Sequence, residues 1–149
     1  GTDVLVARLH GAATVRRDGV LKLIVTRGLG TRGYAPPVVP VPTVLVLDDA
    51  LPPARAGGLV LRDCALRLAE QPRLAGIKHT NRLEQVLARA EWDDPGIDDG
   101  LMCDAAGRVV CTTRANVFAA IDGRLVTPAM LRCGVEGVAR GCVLAALGD

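Results

Sequence analysis

Lys78 is the residue in this sequence best placed for covalent chemistry. It lies in AGIKHTNRLEQVL, residues 75–87, between Ile77 and His79. Of 18 basic residues only two are lysines, Lys22 and Lys78, so surface positive charge in this chain is carried by arginine. An amine desolvated among apolar neighbours is the kind of nucleophile that forms a Schiff base with a carbonyl compound. The bland alternative is a loop lysine reaching into water, the usual fate of Lys. Two other groups offer anion chemistry. Arg32 and Tyr34, in GLGTRGY (residues 28–34), put a guanidinium and a phenol on one side of an extended segment, where they could grip a carboxylate. In GVEGVAR, residues 134–140, the amides of Val138 and Ala139 open a helix whose dipole and free N–H groups favour an anion. Many helices begin at glycine for no such reason, and the glycines of 28–34 are also what a turn with positive φ requires.

These residues need elements to hold them. Leu83, Val86, Leu87 and Ala90 recur at helical spacing, giving a helix after Lys78 with one apolar face. Asn81 stands at the N-cap position and Glu84 completes the capping-box spacing. Residues 4–9 are a short apolar run, a strand or the end of a helix. Residues 21–27, 43–48 and 58–68 read as strands; in the last, Cys64, Leu66 and Leu68 fall on one face. Four prolines in residues 35–42 exclude a helix or central strand there, making this stretch the expected interdomain linker. WDDPGIDDG, residues 92–100, reads as a solvated loop, since its aspartates do not fit a calcium-loop pattern. From residue 101 short strands follow in a meander, with Asp122-Gly123 a type I′ hairpin signal. Val135, Val138, Cys142 and Ala146 then make the stripe of a last helix. Strand-rich, helix, strand-rich, helix is the order of an α+β fold.

Composition excludes several classes. With 149 residues, half of them apolar, the chain can build a core and is not disordered throughout. A net charge of +2 spread along the chain, with Tyr34, Trp92 and Phe118 the only aromatics, cannot supply a nucleic-acid surface. Five cysteines, Cys64, Cys103, Cys111, Cys133 and Cys142, include no CxxC pair. The histidines His10 and His79 lie far apart, so no metal site is expected. Free thiols fit a reducing cytoplasm, and no stretch is long enough to span a membrane. The abrupt opening without Met suggests a fragment or a processed chain.

Loop lysine, hairpin strands ending in TTRANVF and a helix start at GVEGVAR occur here in one order. Together they resemble the fold-type IV family of pyridoxal-phosphate enzymes, and within it the aminodeoxychorismate lyases. LAGIKHTNRLEQVLAR (74–89) is the most specific block. DDGLMCDAAGRVV (98–110), RANVF (114–118) and TRGLGTRGY (26–34) support it. The resemblance implies an α+β chain holding the end of the small domain (1–34), a linker (35–42) and most of the large β-rich domain (43–149). It implies pyridoxal 5′-phosphate as cofactor, with Lys78 as the Schiff-base lysine and proton shuttle. Val138 and Ala139 would hold the phosphate, Asn116 would line the cofactor, and Arg32 and Tyr34 would face the substrate carboxylate. Many relatives carry a Glu that pairs with the pyridine nitrogen where this chain has Cys111, and a thiol cannot stabilise a pyridinium as a carboxylate does. The family also has sequence on both sides of the stretch matched here, including an arginine for the phosphate. The implied activity is elimination of pyruvate from 4-amino-4-deoxychorismate to give 4-aminobenzoate for folate synthesis, by a cytoplasmic homodimer with a small-molecule substrate. The alternatives are a D-amino-acid or branched-chain aminotransferase of the same fold, or a domain with no catalysis.

Overall fold

The computed structural model describes residues 2–13, 18–53 and 56–148. The chain forms two compact units, Gly1–Ala56 and Gly57–Asp149. In the first, helix α1 (Thr2–Ala13) lies against two antiparallel strands, β1 (Val20–Thr26) and β2 (Thr43–Asp49). The run 4–9 is therefore helical throughout. β1 and β2 pair in continuous register from Val20↔Asp49 to Thr26↔Thr43. The proline-rich stretch 35–42 thus joins two strands of one small sheet, and the units divide instead at 56/57. The prolines serve a loop that returns the chain on itself, where missing N–H donors cost nothing. Gly28, at φ 87°, closes that loop. A Cβ there would fall on the Val41 carbonyl, so only glycine lets the two backbones approach.

The second unit is a β-α-β-β arrangement with a hairpin and a last helix. Strand β3 (Leu61–Leu68), helix α2 (Leu83–Arg89), β4 (Asp99–Asp104) and β5 (Val109–Thr112) build a sheet of order β3-β4-β5. β3 and β4 are parallel, joined through α2, and β4 and β5 are antiparallel. The expected α+β class holds, although this parallel pair was not foreseen. Strand β6 (Ala119–Ile121) and strand β7 (Arg124–Val126) make a separate hairpin. Asp122 and Gly123 at its tip both have positive φ, 50° and 75°, as a type I′ turn demands. Helix α3 (Val138–Leu147) closes the unit.

The core is Cys64, Leu68, Ala88, Trp92, Met102, Val110, Cys111 and Met130. Cys64, Leu66 and Leu68 share the inward face of β3, as the alternation predicted. Leu68 and Met102 are fully buried; at about 25 cal/mol per Å² each contributes roughly 2 kcal/mol. Trp92 carries two cations over its ring, Arg89 4.6 Å and Arg62 5.7 Å from the ring centre. β3 loses its register between Asp63 and Arg67. There the Glu91 carboxylate accepts from the amides of Ala65 (2.7 Å) and Leu66 (2.8 Å), replacing the missing strand partner. Those amide bonds, with the Arg62 charge, hold the Glu91 carboxyl below the usual range.

Three local expectations are corrected. The capping box is not formed: Arg82 is the N-cap of α2, without a side-chain cap, and Glu84 instead accepts from the Ala69 amide at 2.7 Å. Leu83, Val86 and Leu87 are 52–62% exposed, because α2 approaches the sheet through the small residue Ala88. The α3 stripe likewise stays largely open within this unit, no residue of α3 being buried. Finally, the 92–100 loop is not wholly solvated. Asp99 is buried in β4, where it accepts from Thr113 Oγ1 (2.5 Å), the Gly100 amide (2.8 Å) and Arg114 Nε (3.3 Å).

Candidate functional site

A cavity of about 520 Å³ opens in the second unit. It gathers five of the residues singled out from the sequence: Lys78, Cys111, Asn116, Val138 and Ala139. Lys78 reaches it from the loop between β3 and α2, Cys111 from β5, Asn116 from the turn after β5, and Val138 and Ala139 from the first turn of α3. Three stretches separated by tens of residues therefore meet at one surface.

Backbone hydrogen bonds make the lysine loop and the start of α3 one piece. The Gly76 amide donates to the Gly134 carbonyl (3.1 Å), and the Glu136 amide donates back to the Gly76 carbonyl (3.0 Å). Asn116 supplies the third tie. Its Nδ2 donates to the Val135 carbonyl at 2.8 Å, and its Oδ1 accepts from the Gly137 amide at 3.1 Å. Both ends of that amide are thus committed to the turn that precedes α3, so Asn116 shapes the cavity wall. Gly137 is the N-cap of α3, at φ −69° and ψ 142°. A Cβ there would collide with Asn116 Oδ1. The amides beyond it, on Val138 and Ala139, are the ones an α-helix leaves without intrahelical partners.

The lining carries four cationic side chains, Lys78, Arg82, Arg114 and Arg140, and no Asp or Glu. Sequence reasoning missed the three arginines, since among sixteen nothing in local spacing marks those that face inward. Arg140 is held by Thr127 Oγ1 (3.3 Å) and the Pro128 carbonyl (3.0 Å). Arg114 leans on Asp99 and on the Asp98 carbonyl (3.2 Å), while its side chain stays 68% exposed. Burial alone would raise the Asp99 carboxyl. Hydrogen bonds from Thr113, Thr112 and Gly100, with the Arg114 charge, outweigh it and leave that carboxyl below its ordinary value. The Cys111 thiol is pushed up to about 11, first by burial and then by Cys133 nearby, so at neutral pH it is S–H.

Two expectations about the site change. Lys78 is exposed, and its neighbour Ile77 is 53% exposed, so the loop's apolar residues do not enclose the amine. Arg32 and Tyr34 belong to the first unit and are exposed, Tyr34 fully. They sit in a bend about Gly33, at φ 99°, rather than along one side of an extended segment.

An acid-free cavity with four cations and helix-start amides suits an anionic ligand beside the Lys78 amine. Comparison with known proteins places the chain among characterised relatives. Over 138 residues the chain is 38% identical to aminodeoxychorismate lyase of Vibrio harveyi, covering 89% of this chain and 51% of that protein. The crystal structure of 4-amino-4-deoxychorismate lyase from Pseudomonas aeruginosa superposes with a TM-score of 0.89 at 47% identity, over 97% of this chain and 55% of that one. A branched-chain-amino-acid aminotransferase-like protein of Arabidopsis thaliana is 32% identical over 105 residues, covering 68% of this chain and 19% of that protein. The chain spans about half the length of the lyases it matches. The amino-transferase class IV model matches residues 4–148, nearly the whole sequence, and the chain belongs to that family.

Proposed function

We propose that this chain forms the cofactor-binding part of a pyridoxal-phosphate lyase that eliminates pyruvate from 4-amino-4-deoxychorismate, leaving 4-aminobenzoate for folate synthesis. The observation that carries this reading is Lys78 on the same acid-free cavity as the start of α3. The Val138 and Ala139 amides would take the phosphate, with the dipole of α3 behind them. Lys78 would hold the cofactor covalently until the substrate amine displaces it. When bound, the cofactor supplies a sink for the electron pair left on the ring carbon. Every other step belongs to side chains. The freed ε-amine of Lys78 takes the proton from the ring carbon bearing the amino group. The ring carbon–oxygen bond then breaks, enolpyruvate leaves, and a proton returned from the lysine ammonium makes pyruvate. Arg32 and Tyr34 are proposed to orient a substrate carboxylate.

Cys111 favours elimination over amino transfer. With the cofactor bound, the neutral thiol of Cys111 would stabilise negative charge built up on the cofactor less than a carboxylate at that position would. Elimination gains an aromatic product and tolerates a weaker sink, whereas amino transfer must store the charge. Restoring Cys111→Glu should therefore change the lyase rate modestly, and a large gain counts against the argument. Similarity to aminotransferases of the family supports amino transfer as the second reading. Measuring pyruvate release from aminodeoxychorismate against amino transfer to a keto acid separates the two. A cytoplasmic homodimer belongs to the same proposal, and sedimentation of the chain as a monomer only would remove it.

A further inference from the structure

Lys78 sits on a loop, and a loop alone leaves an amine free to point in many directions. Arg82 reaches the carbonyls of both sequence neighbours of Lys78, Ile77 and His79. From the N-cap of α2 its Nη2 donates to the Ile77 carbonyl at 3.0 Å, and its Nε donates to the His79 carbonyl at 3.0 Å. A guanidinium is a rigid planar fork, so two such bonds fix how the two carbonyls are oriented relative to each other. With them they fix the direction in which the Lys78 side chain leaves the backbone. The Ile77 carbonyl also accepts from the His79 amide at 3.1 Å, which makes a tight turn about Lys78 itself. On its other side the loop is anchored independently, by the Gly76 amide on Gly134. Arg82 borders the cavity, and its charge acts on the Cys111 thiol. Yet the two bonds given by its head go to the lysine loop.

We infer that Arg82 is a positioning residue for Lys78: its fork, braced on the carbonyls of Ile77 and His79, aims the ε-amine into the cavity. The inference rests on the proposed role of Lys78. It accounts for arginine at position 82 rather than lysine. A lysine would keep the charge but, as a single nitrogen, could not span both carbonyls in the same geometry.

The test mixes pyridoxal phosphate with the wild-type chain and with Arg82→Lys, Arg82→Gln and Lys78→Ala. Three quantities are followed: the Kd by dialysis, the rate of appearance of the lysine-dependent visible chromophore, and amide hydrogen exchange at His79 and Gly76. Arg82→Lys, which keeps the charge, is expected to bind the cofactor within about threefold of wild type, a change under 1 kcal/mol, whereas Arg82→Gln also loses a cation of the cavity and binds more weakly. Misaiming the amine should slow chromophore formation by about 10- to 100-fold. Exchange should accelerate at His79 and stay unchanged at Gly76. Wild-type chromophore rates in both variants overturn the inference, as does a rate loss matched by equal losses of binding and of Tm. Full rescue by lysine also overturns it, since charge alone would then suffice. If Lys78→Ala leaves the chromophore of the wild-type chain intact, or no chain forms one, the reading of Lys78 fails first. The exchange contrast still decides the loop claim: unchanged exchange at His79 refutes it.

Discussion

The latch between Asn116 and Gly137 yields the sharpest prediction about how the site is built. Asn116→Ala removes two hydrogen bonds, to the Val135 carbonyl and from the Gly137 amide. At about 1 kcal/mol net for each neutral bond, the loss should be about 2 kcal/mol. Gly137→Ala attacks the same latch from the other side. Its Cβ falls well inside the ~3.5 Å preferred by non-bonded atoms, so the Asn116 amide must withdraw by roughly an ångström and give up both bonds. Backbone strain adds nothing, because φ −69° and ψ 142° suit alanine. The two single variants should therefore each lose about 2 kcal/mol, and the double variant about 2 rather than 4. Urea unfolding of the four chains measures this coupling. Additive losses would refute the latch, since they would mean that the Cβ at 137 meets something other than Asn116. The same variants should weaken inorganic phosphate and pyridoxal phosphate binding together, because both lose the ordered amides of α3.

Two further outcomes follow from titrating groups near the cavity. Asp99 has a depressed carboxyl, so its stabilisation is complete above the unfolded value of about 3.9 and is lost as pH falls through the lower folded value. The urea midpoint should therefore hold from neutrality down to about pH 4 and then drop, and Asp99→Asn should flatten that drop; an unaltered acid limb excludes the Asp99 network as its cause. Cys111, raised to about 11, should resist alkylation at pH 8 while the exposed Cys142 reacts. Peptide mapping in which Cys111 is modified as fast as Cys142 would contradict its burial.

How much of this was legible in the sequence depended on the range of the interaction. β1, β3 and the Asp122-Gly123 turn were readable because alternation and turn chemistry are local. So was the α3 start, where glycine precedes an apolar stripe. The capping box failed because Glu84 found a better use 15 residues away, on the Ala69 amide. The linker failed because proline content reports where backbone donors are dispensable and says nothing of whether the flanking strands pair with each other. Asn116 lines the cavity that also holds Lys78, but the use of its amide, which serves the backbone of residues 135 and 137, could not be read from local spacing. The pairing of α2 with the sheet through Ala88 could not be read either, because the stronger apolar signal of Leu83, Val86 and Leu87 lies on the other side.

Lys78 carries the proposed chemistry. The direct measurement is to add pyridoxal phosphate to the chain, reduce with borohydride and identify the modified residue by peptide mass spectrometry. If Lys78 is the Schiff-base lysine, a visible chromophore is lost in Lys78→Ala, and the reduced adduct is on Lys78 with Lys22 unmodified. An adduct distributed between Lys78 and Lys22, or a chromophore that survives Lys78→Ala, would contradict it.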